Sequence, residues 1–170
     1  GIWKAFCELR EVGFIDTTPQ MISVEPAALG PLSKAISRGL DYVEKTPSNK
    51  SLAFSIAGNI SSYQALKAIY ASKGIAATVS DEEIIEMQKL LASTEGIYGE
   101  TASVASLAAV KKLREEEKME EDETVVCILT SSGLKFHETI KNFLPKPPKA
   151  IKPNWEEFKK LMKQQYNFSL

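Results

Sequence analysis

The stretch that most limits how this chain can fold is Thr124-Val125-Val126-Cys127-Ile128-Leu129, an apolar and largely β-branched run with no polar alternation. A strand with one wet face alternates polar and apolar residues. An unbroken run is instead typical of a strand buried on both faces, as in a parallel sheet between helical layers. Ile75-Ala76-Ala77-Thr78-Val79 is a second β-prone run and Met21-Ile22-Ser23-Val24, stopped by Glu25-Pro26, a third. Helical spacing lies between and around them: Leu32, Ala35, Ile36 and Leu40 over 31–40, and Tyr63, Leu66, Ile69 and Tyr70 before Gly74. Leu52 to Ile56 fits either a strand or an extended connection, because periodicity does not decide so short a run. Strands alternating with helices, without hairpin signals, predict an α/β domain of three layers: a mostly parallel sheet with helices on both faces.

The sharpest local signal is Ser80-Asp81-Glu82-Glu83. The Ser80 hydroxyl can accept from the amide of Glu83, whose carboxylate reaches back to the amide of Ser80, and the acidic turn suits the positive end of a helix dipole. Ile84, Ile85, Met87, Leu90 and Leu91 then form the buried stripe, with Gln88 on its edge. Thr101 to Leu113, rich in alanine, suits a helix packed closely on a sheet, and the charged 111–123 stretch reads as a solvated helix end and loop. Residues 1–144 are expected to form the α/β portion. Residues 145–170 are expected to add an extended linker, Pro145-Lys146-Pro147-Pro148-Lys149, and a short terminal helix over 155–165. The first residues, Gly1-Ile2-Trp3-Lys4-Ala5-Phe6-Cys7-Glu8-Leu9, read as a helix already in progress, so the chain is expected to be part of something longer.

With 170 residues, 44% of them hydrophobic and 25% charged, the chain has the composition of one ordinary globular domain. Lys and Arg number 21 against 22 Asp and Glu, so no bulk field draws it to nucleic acid or to an acidic membrane. Cys7 and Cys127 lie far apart in apolar stretches, which fits small buried hydrophobes in a reducing compartment. No apolar run is long enough to span a bilayer and no signal-peptide pattern opens the chain, so the expected location is cytoplasmic.

In open parallel sheets, ligands sit beyond the carboxyl ends of the strands. Glu25, Ala57, Ser80 and Thr130-Ser131-Ser132-Gly133 follow the expected strands. Ser80 is accounted for by its capping role. The three hydroxyls and the glycine could hold a heteroaromatic nitrogen or an anion, and they could equally be a hydroxyl-rich turn. Ala57-Gly58-Asn59 would let a flat ligand approach the backbone, though Gly-Asn is also a common turn. The single histidine, His137, has no partner at metal-ligand spacing, so no metal site is expected. Nucleophile elbows, P-loops and dinucleotide fingerprints are absent.

Over residues 1 to about 136 the chain resembles the C-terminal part of the threonine synthases, pyridoxal-phosphate enzymes of the tryptophan-synthase-β-like fold. Gly1-Ile2-Trp3-Lys4-Ala5-Phe6 is similar to the family's G-x-W-K-G-F helix, and Ile56-Ala57-Gly58-Asn59-Ile60-Ser61-Ser62-Tyr63 to its I-x-x-G-N-P-x-S-W stretch. Val79-Ser80-Asp81-Glu82-Glu83-Ile84 resembles V-[ST]-D-E-E-I, and Glu95-Gly96-Ile97-Tyr98-Gly99-Glu100-Thr101-Ala102-Ser103 resembles E-G-I-[FY]-x-E-P-A-S. The discriminating match is Leu129-Thr130-Ser131-Ser132-Gly133-Leu134-Lys135 to L-T-G-H-G-L-K. Three positions depart from the pattern: Thr101 and Ile60 stand where the family has proline, and Ser131-Ser132 where it has Gly-His.

The resemblance implies a pyridoxal-phosphate-dependent lyase that converts O-phosphohomoserine, a small amino-acid substrate, to threonine and phosphate. It implies that Thr130 hydrogen-bonds the pyridine nitrogen of the cofactor, that Ser131, Gly58 and Asn59 line its surroundings, and that Glu100 lies near the ring. The Schiff-base lysine and the phosphate cup lie upstream of Gly1 in the family, so the resemblance assigns no catalytic residue here and makes the upstream segment a required partner. It leaves a homodimer open. The alternatives are a non-catalytic binding or regulatory module of the same fold and a related amino-acid dehydratase.

Overall fold

The structure is a computed structural model that describes residues 1–139, 141 and 148–169, with the side chains of 137–139 outside the description. The expected linker at 145–149 and the side chain of His137 therefore fall largely outside it. Two compact units divide the chain, Gly1–Ile140 and Lys141–Leu170.

In the first unit, strands β1 (Ile22–Pro26) and β2 (Ile75–Val79) pair in parallel, in register from Ile22 opposite Ile75 to Pro26 opposite Val79. Parallel strands need a crossover between them. Here it contains helix α2 (Pro31–Ser37), a single 3-10 turn at Phe54–Ile56 and helix α3 (Tyr63–Ala71). The β2 residues Ala77 and Val79 enter one core with Ile84, Met87 and Leu91 of α4 (Asp81–Glu95) and Val104, Ala105 and Ala108 of α5 (Thr101–Glu115). Successive strand side chains point to opposite faces. Thr78 accordingly looks the other way, and a Cβ placed on Gly30, just before α2, would meet its methyl at 3.1 Å. On that side α2 and α3 share a second cluster, Leu32, Ala35, Leu66 and Ile69. Helices thus cover both faces of the parallel pair, as the alternation predicts. Full burial of a side chain such as Ile84 or Val79 is worth roughly 1.5–3 kcal/mol.

Local signals place the helix ends. The Ser80 hydroxyl accepts from the Glu83 amide at 3.2 Å, and the Glu83 carboxylate accepts from the Ser80 amide at 2.6 Å. Asp81 in the same turn ties down the loop before the 3-10 turn by accepting from the Ser51 hydroxyl and the Leu52 amide. Glu25, which follows the first β-prone run in the sequence, serves the fold itself, because its carboxylate accepts from the Leu32 and Ser33 amides at 3.0 and 2.8 Å at the head of α2. The first helix, α1 (Ile2–Glu11), is amphipathic but buries none of its side chains.

Three expectations need correction. Residues 124–129 form no strand: Val125 packs on the core, but Val126 is 78% and Ile128 53% exposed. A β-branched run becomes a strand only where a neighbour supplies ladder hydrogen bonds, and among the described residues none lies alongside. The undecided Leu52–Ile56 segment resolves into the 3-10 turn, with Thr101 at the head of α5 donating its hydroxyl to the Leu52 carbonyl at 2.8 Å. The buried stripe of α4 also differs from expectation: Gln88 lies within it rather than on its edge, because its side-chain amide donates to the Gly99 carbonyl at 2.6 Å, and Leu90, expected in the stripe, is exposed.

The second unit contains α6 (Trp155–Tyr166), where the sequence predicts a terminal helix. The Asn154 side chain caps it by accepting from the Glu156 and Glu157 amides. Among the described residues, no helix is long and apolar enough to cross a membrane.

Candidate functional site

Two short backbone segments meet at the head of α5. Gly99 and Ser132 form an isolated antiparallel bridge, flanked by the Glu100 amide on the Ser131 carbonyl at 3.0 Å and the Gly133 amide on the Tyr98 carbonyl at 2.8 Å. Only glycine allows so close an approach at Gly133, because a Cβ there would lie 2.7 Å from the Gly99 carbonyl oxygen and from the Tyr98 ring. The hydroxyl-rich segment after Leu129 is therefore fixed in place by backbone pairing, although the run before it is not a strand.

Side chains of α5 complete the clamp. The Ser103 hydroxyl oxygen accepts from the Ser131 amide at 3.0 Å and lies 2.9 Å from the Thr130 hydroxyl oxygen. One turn further on, Ser106 donates to the Ser103 carbonyl and forms a hydrogen bond with the Cys127 thiol. Burial raises the Cys127 pKa above the ordinary thiol value, and the Ser106 contact pulls it partly back. Ser103 is buried at 2% exposure, whereas Thr130 is exposed at the surface of the segment.

Of the five residues singled out by the resemblance, the fold gathers three: Thr130, Ser131 and Glu100. The Glu100 side chain is buried, and its carboxylate accepts from the Ser55 hydroxyl at 3.3 Å. That contact links the head of α5 to the 3-10 turn, and Phe54 of the turn meets Phe136, in the segment after Gly133, edge to face at 4.9 Å between centroids. Asn59 is engaged elsewhere: its side chain donates to the Ser48 hydroxyl at 3.0 Å, and its carbonyl accepts from the Thr46 amide at 2.8 Å. No described hydrogen bond joins Gly58 or Asn59 to Thr130. A recess runs beside Trp3, Lys4, Ser23, Ser62 and Gln64, and Thr130 is not part of its lining.

Sequence reasoning did not single out Ser103, Ser55 or Tyr98. Ser103 closes the E-G-I-Y-G-E-T-A-S stretch, but nothing in its local spacing announces a contact 27 residues away. The Tyr98 hydroxyl is buried without a hydrogen-bond partner among the described residues, and burial raises its pKa. Among the described residues, no group of three or more His, Cys, Asp or Glu could hold a metal ion.

Helices cover both faces of the parallel strand pair, and exposed hydroxyls stand on the segment after the last β-prone run. Residues 1–131 match the family described as pyridoxal-phosphate dependent enzymes, and the chain belongs to that family. Within it, the chain is 43% identical over 136 residues to the threonine synthase of Methanocaldococcus jannaschii, covering 79% of this chain and 34% of that protein. It is 38% identical over 148 residues to the threonine synthase of Methanosarcina acetivorans, covering 86% of this chain and 36% of that one. The chain thus spans about a third of the length of these curated relatives. The same fold is seen in the solved L-serine ammonia-lyase of Rhizomucor miehei, with a TM-score of 0.59 at 17% identity over 82% of this chain and 45% of that one.

Proposed function

We propose that this chain is the C-terminal part of a threonine synthase, which converts O-phosphohomoserine to threonine and phosphate once the rest of the enzyme supplies the Schiff-base lysine and the phosphate cup. The observation that carries the structural side of this reading is the Thr130 hydroxyl, exposed on its outer side and backed by the buried Ser103 hydroxyl at 2.9 Å.

That donor set fits the ring-nitrogen side of pyridoxal phosphate. The cofactor, when bound, supplies an electron sink for carbanions next to the substrate nitrogen. Thr130 meets the ring nitrogen with a neutral hydroxyl, which orients the ring without holding a proton on that nitrogen as a carboxylate would. Ser131 fixes Thr130 through its two backbone bonds, to Ser103 and to Glu100. Glu100 stands behind the loop with its carboxylate accepting from the Ser55 hydroxyl. In this division of labour these residues bind and orient, and the proton transfers belong to polypeptide beyond this chain.

The test is co-expression of this chain with the portion of the Methanocaldococcus threonine synthase that it does not match. Release of phosphate and threonine from O-phosphohomoserine, absent from either part alone, is the expected result. A 2-keto acid product would replace this reading with a dehydratase, and assembly without turnover would replace it with a non-catalytic module. The 170-residue chain alone, treated with pyridoxal phosphate and borohydride, should give no adduct on a specific lysine.

A further inference from the structure

The hydroxyl pair at the head of α5 has a direction that burial decides. Ser103 has one hydroxyl hydrogen and two lone pairs, one of which receives the Ser131 amide at 3.0 Å. The 2.9 Å contact to Thr130 can be donated from either side. If Thr130 donated, the hydrogen of Ser103 would need another acceptor, yet the residue is 2% exposed and no other acceptor for its hydroxyl is described. A buried hydroxyl hydrogen without an acceptor is unfavourable, whereas Thr130 is exposed and its hydrogen can always find water or a ligand. The Ser103 hydroxyl therefore donates to Thr130.

We infer that Ser103 is a positioning residue, whose hydroxyl occupies one acceptor site of Thr130 and so turns the Thr130 hydrogen outward as a donor, matched to an unprotonated aromatic ring nitrogen. The inference rests on the reading of Thr130 given above and extends it to a side chain that would not touch the cofactor. It also accounts for the buried serine at the third position of α5, which helix formation does not require. Ser103 thereby acts twice, since its lone pair fixes the loop through the Ser131 amide and its hydrogen sets the polarity of Thr130.

The experiment has two arms. In the 170-residue chain, amide hydrogen exchange at Ser131 is measured for Ser103→Ala, Ser103→Thr and Thr130→Val. Exchange is expected to speed up about tenfold in Ser103→Ala and to stay near the parent rate in Thr130→Val, because Ser103 still accepts there. Ser103→Thr keeps the hydroxyl and should retain protection. In the co-expressed assembly, pyridoxal phosphate itself is the probe, and its dissociation constant is measured for Ser103→Ala, Thr130→Val and the double variant. Each single change should weaken binding about three- to tenfold, and the double variant should bind no more weakly than Thr130→Val, since Ser103 acts through Thr130. Unchanged Ser131 exchange in Ser103→Ala, or additive losses in the double variant, overturns the role given to Ser103. Unchanged affinity in Thr130→Val overturns the reading of Thr130 and the inference with it, and the exchange arm tells that failure from the others.

Discussion

β2 and residues 124–129 are two runs of similar apolar character that lie against the same helix, α5, and they are held in different ways. β2 has β1 beside it, completes a parallel ladder and buries Val79 fully between α4 and α5. The 124–129 run has no ladder partner among the described residues; it rests on α5 through Val125 and the Ser106 contact to Cys127, and leaves Val126 exposed. The difference teaches that a β-branched run specifies a capacity, and that the neighbouring backbone decides whether the capacity is used. Where the ladder is complete, the residues serve stability. Where it is not, hydroxyls of α5 hold the chain, and Thr130 at its end stays open.

The contrast can be broken first by truncation. Val79→Ala should lower the stability of the 170-residue chain by about 2–3 kcal/mol in urea unfolding, from lost burial and the cavity left behind. Val126→Ala should change it by no more than about 0.5 kcal/mol. Equal losses would mean that the two runs are packed alike and would remove the distinction.

A smaller effect sharpens the account of how the open segment is held. Gly133→Ala puts a methyl 2.7 Å from the Gly99 carbonyl and the Tyr98 ring, so it should cost about 1–3 kcal/mol and loosen the Glu100–Ser131 pairing. Amide exchange at Glu100 and Gly133 reads this directly. A variant with parent stability and parent exchange would show that the close approach is not required.

The smallest effect concerns Cys127. Its thiol pKa lies above the ordinary value because of burial, so at pH 8 less of it is thiolate than of a free cysteine. Alkylation by iodoacetamide should therefore reach half its limiting rate at a higher pH than for free cysteine, and Ser106→Ala should push that midpoint higher still. A midpoint at the free-cysteine value would show that the segment does not lie against α5.

Much of the fold is legible in the sequence where its cause is local. The Ser80–Glu83 box, the bounds of β2 and the terminal helix depend on residues a few positions apart, and they are found where the spacing puts them. The 124–129 run misleads because a strand is a relation between two segments, and composition describes only one of them. The 3-10 turn at Phe54–Ile56 escapes for a similar reason, since its neighbourhood includes Thr101, Glu100 and Phe136, all distant in the chain. For the candidate site, Thr130 is marked by its place after an apolar run and by its motif. Ser103 is visible only once folding brings residues 103 and 130 together.

The most direct measurement of the central claim is the nitrogen NMR shift of ring-labelled pyridoxal phosphate bound to the co-expressed assembly. The ring nitrogen is expected to be unprotonated at neutral pH, with a shift that moves when Thr130 is changed to valine. A protonated nitrogen, or a shift indifferent to Thr130→Val, would contradict that claim.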